Sequence, residues 1–303
     1  MPNVWTHILF AEDICMNIGR NDLLEASETF LYLGAQGPDP FFYYNFWPMG
    51  NDHGVNDLGL QLHKEKCGDF LLELIENGRF LKNRKQAYIL GFVSHHILDR
   101  ITHPYVHYKS GYEGNKHQEL EVAIDTLMLS KHRHVQTWKT TVSPLIRLRR
   151  IERKEVATML EPSINNHYSP ESLPKHFIEK SFKHMAAAQR ILFDPFGWKN
   201  KWFGPLVSSF SHQPIADQVD YLNSKGETWH HSATFERRTE SFEDLYNQAK
   251  EEASALFALI LDYWSKEEEK TRKEIENVVQ NISYDTGTPL IQNHDNFYSE
   301  PIV

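Results

Sequence analysis

GFVSHHILDRITHPYVHYKSGYEGNKHQELEVAID, residues 91–125, decides how this chain is read. Apolar residues recur in it at three- and four-residue spacing, the period of an α-helix rather than of a strand. His95 and Asp99 stand four apart, so on a helix their side chains share one face. His117 and Glu121 repeat the spacing on what the pattern predicts as the next helix. Between them His103 precedes Pro104, where a helix is expected to stop and the chain to turn. Ile97, Leu98 and Ile101 surround the first pair; Leu120, Val122 and Ile124 surround the second. A carboxylate in such a setting is costly to bury unless it is paired or bound to a cation. One such pair is most often a surface hydrogen bond. Two pairs joined by a His-bearing turn are the material of a multinuclear site, where each zinc takes about three protein ligands and leaves a position for water.

Outward from this stretch the same periodicity predicts helices over roughly 4–17, 22–33, 60–82, 86–102, 115–131, 141–161, 173–193 and 241–280. Period-two alternation is scarce, so strands are not expected. Loops are marked by GPDP at 37–40, WPMGND at 47–52, HPY at 103–105 and SGYEGN at 110–115. Ser241, followed by Glu243 and Asp244, reads as a capped start of the long C-terminal helix. The fold class is all-α: a single multi-helix domain over residues 1–283, followed by a polar tail at 284–303 with Pro289 and Pro301 and little regular structure.

The 303 residues suffice for a core without disulfide staples, and 40% hydrophobic with 24% charged residues is the balance of a folded protein. The net charge of −9 argues against long nucleic acids as partners and against simple docking on anionic lipid. Cys15 and Cys67, the only two cysteines, read as reduced and buried. A leading segment without a basic n-region or cleavage site, and no apolar run of about 18 residues, give a cytoplasmic reading with no transmembrane segment. Peripheral membrane contact stays open, and oligomeric state is not legible.

Further candidate ligands lie upstream: His7 in WTHILF, Asp39 in the GPDP turn and His53 in NDHG. Taken in order, His7, Asp39, His53, His95-x-x-x-Asp99, His103 and His117-x-x-x-Glu121 resemble the zinc-dependent phospholipase C family and, more distantly, the single-strand-specific fungal nucleases. The intervals Asp39–His53 and His103–His117 are equal, as in that family. The resemblance covers about residues 1–130 and implies a helical phospholipase C-type fold holding two or three Zn2+ ions. It implies that Asp39, His53 and His95 hold one zinc and that His103, His117 and Glu121 hold a second. A third would take His7 and an amino-terminal nitrogen, with Asp99 bridging the first and third. In secreted members that nitrogen belongs to a mature Trp; here Trp5 is internal, and Pro2 would follow removal of the initiator. His107 competes with His103 for its ligand position, and His96 with His95, although only His95 stands four residues from Asp99.

The activity implied is hydrolysis of a phospholipid or related small phosphoester by metal-activated water, with Asp39 ligating metal or orienting and deprotonating that water. FFYYNFWPM, 41–49, reads either as an aromatic rim for acyl chains or a choline-like cation or, preferentially, as a core-packing loop. Asp125, one turn beyond Glu121, reads as a partner to a ligand imidazole. Trp229-His230-His231 is a pocket candidate without a tie to the metal set, and His132 and His134 read as a solvated helix end. Two alternatives stand beside this reading. One is a metal-dependent phosphoesterase or nuclease acting on a small non-lipid phosphodiester. The other is a non-enzymatic metal-binding protein on the same scaffold. An HD-type phosphohydrolase is disfavoured, because the one adjacent His-Asp pair, His294-Asp295, lies in the tail.

Overall fold

A computed structural model describes residues 3–47, 50–168 and 173–303, and at 205 and 206 the backbone alone. Among the described residues the chain is all-α, with eleven α-helices. In chain order α1 is Val4–Asn17, α2 Asn21–Gly34, α3 Val55–Lys64, α4 Cys67–Gly78, α5 Asn83–Ser110 and α6 Lys116–Arg133. α7 is Arg150–Tyr168, α8 Phe177–Leu192, α9 Trp198–Val207, α10 Phe242–Lys266 and α11 Glu269–Val279. A two-residue antiparallel pair, β1 Trp229–His230 and β2 Arg237–Arg238, and an isolated antiparallel bridge between Ile282 and Pro289 depart from the all-helical expectation among the described residues. None of the described helices is long and apolar enough to cross a membrane.

The 28-residue α5 is the axle of the fold, packed by α1, α2, α4, α6 and α10. It is buried almost all round from Ala87 to Val106, which is why it shows no single apolar stripe. Gly34 of α2 and Gly91 of α5 let the two helices touch backbone to backbone; a Cβ at Gly34 would collide with the Tyr88 carbonyl, and one at Gly91 with the Leu31 carbonyl. This close crossing delivers the chain after α2 to the face of α5 that carries His95.

The expected stop at His103-Pro104 is overturned, because α5 runs through Pro104 to Ser110. An interior proline costs a helix about 3 kcal/mol through its missing N–H and its clash one turn back. Here the cost is offset by tertiary packing: Tyr105 and Val106 are fully buried, and Gly287 of the C-terminal segment lies directly on the Arg100 carbonyl, which Pro104 cannot satisfy. His103 therefore sits inside a helix, not in a turn.

Other boundaries shift for local reasons. The span 60–82 divides at Lys66, whose φ is 48°, and 241–280 divides at Glu267, whose φ is 56°. The helix expected over 141–161 lies at Arg150–Tyr168 instead, and α9 was not anticipated. α10 starts as expected. The Ser241 hydroxyl accepts from the Asp244 N–H at 3.1 Å and the Asp244 carboxylate accepts from the Ser241 N–H at 2.9 Å. Cys15 and Cys67 are free and buried, with burial pushing both thiols up to about 12.

The chain after α11 has little regular structure beyond a 3-10 turn at Leu290–Gln292, but it is tied to the core. Tyr284 is buried, the Glu300 N–H donates to the Tyr108 carbonyl at 2.7 Å, and the Ile302 N–H donates to the Lys109 carbonyl at 2.8 Å.

Candidate metal centre

Because α5 continues through Pro104, His95, Asp99, His103 and His107 recur at every fourth residue of one unbroken helix and form a stripe along one face. Four other elements bring side chains to that stripe. α1 supplies His7, the 3-10 turn Asp39–Tyr43 supplies Asp39, the last turn of α3 supplies His63, and the first turns of α6 supply His117 and Glu121.

The donor atoms fall into trios within 4.8 Å of one another: His7, His95 and Asp99; Asp39, His63 and His95, which shares His95 with the first; and, separately, His103, His117 and Glu121. Asp99 Oδ1 lies 3.3 Å from His7 Nε2, and Oδ2 lies 3.0 Å from His95 Nε2 and 3.8 Å from His103 Nε2. Asp39 Oδ1 lies 3.3 Å from His63 Nε2 and 3.7 Å from His95 Nε2. His117 Nε2 lies 2.6 Å from Glu121 Oε1.

Three of these imidazoles are oriented by backbone carbonyls, which can only accept. His95 Nδ1 donates to Ala35 at 3.0 Å, His103 Nδ1 to Tyr284 at 2.8 Å and His63 Nδ1 to Gly59 at 2.7 Å. With the proton fixed on Nδ1, Nε2 presents a lone pair to the cluster, the arrangement by which proteins orient metal-ligating histidines. Gly37, at φ 49°, makes room for the His95 ring where a Cβ would strike it.

Among the described residues, His95 Nε2, His103 Nε2, Asp39 Oδ1, both oxygens of Asp99 and both nitrogens of His7 are buried without a hydrogen-bond partner. Most of these groups are fully buried. A core leaves so many converging donors and acceptors unsatisfied only at a steep cost. A cation among them would remove it, so the residues present fit bound metal. Burial lowers the His7 and His103 pKa values toward the neutral form that binds metal. Burial works to lower His95 and to raise Asp99, yet the Asp99 and Asp39 carboxylates bring the His95 imidazole up, and its charge, ahead of those of His103 and His7, holds the Asp99 carboxyl well below the usual carboxylate range when no metal is bound.

One side of the cluster opens into a cavity of about 730 Å³. Asp39, His63, His103, His117 and Glu121 reach it from the metal side, while Phe42, Tyr43, Phe46, Leu60, Met185 and Phe210 give it an apolar wall. The aromatic segment therefore divides its labour. Phe41 packs in the core against Phe177, its neighbours Phe42, Tyr43 and Phe46 face the cavity, and Pro48 and Met49 lie outside the described residues.

The structure does not bring His53 to this cluster. His53 is exposed in a loop at φ 52°, with its N–H donating to the Asn51 side chain at 2.7 Å. His63 stands beside Asp39 and His95 in its place. A signal for it existed, since Val55, Leu58, Gly59, Leu62 and His63 form the buried face of α3. Asp125 does not touch a ligand imidazole either. Its carboxylate accepts from the backbone N–H groups of Trp5 and Thr6, both at 2.9 Å, and so anchors the start of the helix that carries His7. Trp229 packs on Tyr105, away from the cavity lining. His132 pairs with Glu243 at 3.0 Å. The amino-terminal nitrogen belongs to residues outside those described.

Such a cluster on a helical scaffold makes the chain an all-α protein with buried side-chain groups that could hold metal. The sequence model of the zinc-dependent phospholipase C family matches residues 6–185, and the chain belongs to that family. The match supports a zinc-dependent hydrolase. No curated protein and no solved structure matches.

Proposed function

We propose that the chain hydrolyses a phospholipid or a related amphiphilic phosphodiester, using two or three Zn2+ ions held by His7, Asp39, His63, His95, Asp99, His103, His117 and Glu121. The observation that carries this reading is the cavity, whose metal-facing floor meets a wall of Phe42, Phe46, Leu60 and Met185. A phosphate with apolar substituents matches both surfaces at once. The net charge of −9 points the same way, against long nucleic acids.

Bound zinc supplies positive charge for the phosphate oxygens and lowers the pKa of water toward ~7. The residues divide the remaining tasks. His95 offers a single free nitrogen and so serves one ion, whereas Asp99, with an oxygen toward His7 and another toward His95, is the group able to bridge two. Asp39 faces the His63–His95 pair and also lines the cavity. It is the carboxylate placed to orient water toward the phosphorus and to take its proton. Glu121 and His117 hold the opposite side of the floor.

The test is hydrolysis by metal-stripped, zinc-reloaded protein of a short-chain phosphatidylcholine, a soluble p-nitrophenyl phosphodiester and a dinucleotide. Zinc-dependent release of phosphocholine well above the other two rates is expected. A preference for the dinucleotide would replace the lipid reading. Zinc binding with no turnover of any of the three would leave a metal-binding protein without this activity.

A further inference from the structure

Beyond the family-matched stretch, Asp285 enters the same cavity from the C-terminal segment, opposite His107 of α5. Donor atoms of His103, His107 and Asp285 lie within 4.8 Å of one another. Both ring nitrogens of His107 are buried without a hydrogen-bond partner among the described residues. The His107 ring lies 4.7 Å from that of His117 and 5.5 Å from that of His103, so the three imidazoles surround one space. Asp285 turns Oδ2 toward Lys64 Nζ at 3.3 Å and Oδ1 toward His103 Nδ1 at 3.6 Å.

We infer that His107 and Asp285, with His103 beside them, form an additional divalent-cation seat, so that the C-terminal segment contributes a ligand to the centre. This rests on the proposed zinc centre and adds a position to it. The seat is the weakest of the set for a stated reason. His103 Nδ1 already donates to the Tyr284 carbonyl at 2.8 Å and its Nε2 faces the His117–Glu121 pair, so the ligands of this seat are His107 and Asp285, and His103 could join them only by losing both that bond and its Nδ1 proton. Lys64 is the competing occupant, but its side chain is 53% exposed and free to swing away as a cation arrives. A plain ion pair with Lys64 accounts for Asp285 alone; it leaves both nitrogens of His107 unaccounted for.

The experiment is a Zn2+ titration of metal-stripped full-length protein, with bound ions counted by mass spectrometry of the equilibrated samples. Wild type is compared with Asp285→Asn, His107→Gln, Lys64→Gln and His117→Gln, each checked for helical content by circular dichroism. Asp285→Asn and His107→Gln are each expected to lose the weakest ion, or to bind it at least tenfold more weakly, while the tighter ions stay. Lys64→Gln should keep that ion and bind it more tightly, and His117→Gln should lose a different, tighter one. Unchanged ion number and affinity in both Asp285→Asn and His107→Gln overturns the inference and leaves the proposed function standing. A wild-type chain that binds no zinc overturns both.

Discussion

The two halves of the metal centre use the same helix and the same pair of side-chain chemistries, yet one is sealed and the other faces a cavity. His7, His95 and Asp99 have no exposed surface. One turn further along α5 the neighbours open: His117 is 22% exposed and Asp285 18% at the side chain. The sealed half has its imidazoles and carboxylate fixed by packing. The open half has room for a ligand to enter and leave. On the proposed function, the first would supply architecture and charge and the second would exchange with substrate, with Asp39 at the border, buried yet lining the cavity.

Removing the sealed carboxylate should have the largest effect. Asp99→Ala takes away the group facing His7, His95 and His103 together, and a loss of at least ~10²-fold in kcat/KM is expected, with bound zinc reduced in parallel. Activity and zinc content near wild type would show that Asp99 is only a packing group. The border is sharpened by a matched pair of histidines. His63→Ala should cost about 10-fold or more in zinc affinity, whereas His53→Ala, on an exposed loop, should stay within about twofold of wild type. The reverse order would restore His53 as the ligand.

Acid should act first through the buried histidines of both halves and only later through Asp99. Burial lowers His107 of the open half to about 3. Between that value and about 6.5 the unfolded chain binds a proton that the folded chain refuses, so stability falls as pH drops below about 6.5, at up to about 1.4 kcal/mol per pH unit. Asp99 of the sealed half is held below the usual carboxylate value, so its contribution is present above about 4 and is lost only as pH falls further. In denaturant unfolding of the metal-stripped protein, the stability of wild type minus that of His107→Gln should fall by about 2 kcal/mol from pH 7 to pH 5. A flat profile over that interval would remove the burial argument for His107.

The smallest effect is expected from the anchor of α1. Asp125→Asn leaves one carbonyl oxygen for two N–H donors, at Trp5 and Thr6, and should lower stability by about 1–2 kcal/mol with the helix content unchanged. A thermal melt checks it, and an unaltered midpoint would mean that packing alone holds α1.

What the sequence disclosed and what it hid follow from the range of the interactions. α1, α2 and α6 were legible within a residue or two, because their limits are set by local pattern and by Gly or Asn at their ends. The His95–Asp99 and His117–Glu121 pairs were legible because helical spacing alone puts each on one face. The passage of α5 through Pro104 was not, since the packing around it includes Gly287, which comes from the far end of the chain. His63 has its signal in the buried face of α3, whereas His53 is suggested by its interval from Asp39 and by the family resemblance. Asp285 has no local signal at all: its place beside His107 comes from a segment that folds back across α5, and only the three-dimensional arrangement brings the two together.

The most direct measurement is a crystal structure of zinc-loaded protein with anomalous data collected on both sides of the zinc edge. Anomalous peaks are expected within about 2.0–2.2 Å of donor atoms of Asp39, His63 and His95, and again of His103, His117 and Glu121. Zinc-loaded crystals with no peak at either position, their imidazoles and carboxylates bonded only to one another or to water, would contradict the metal centre and the hydrolase proposed from it.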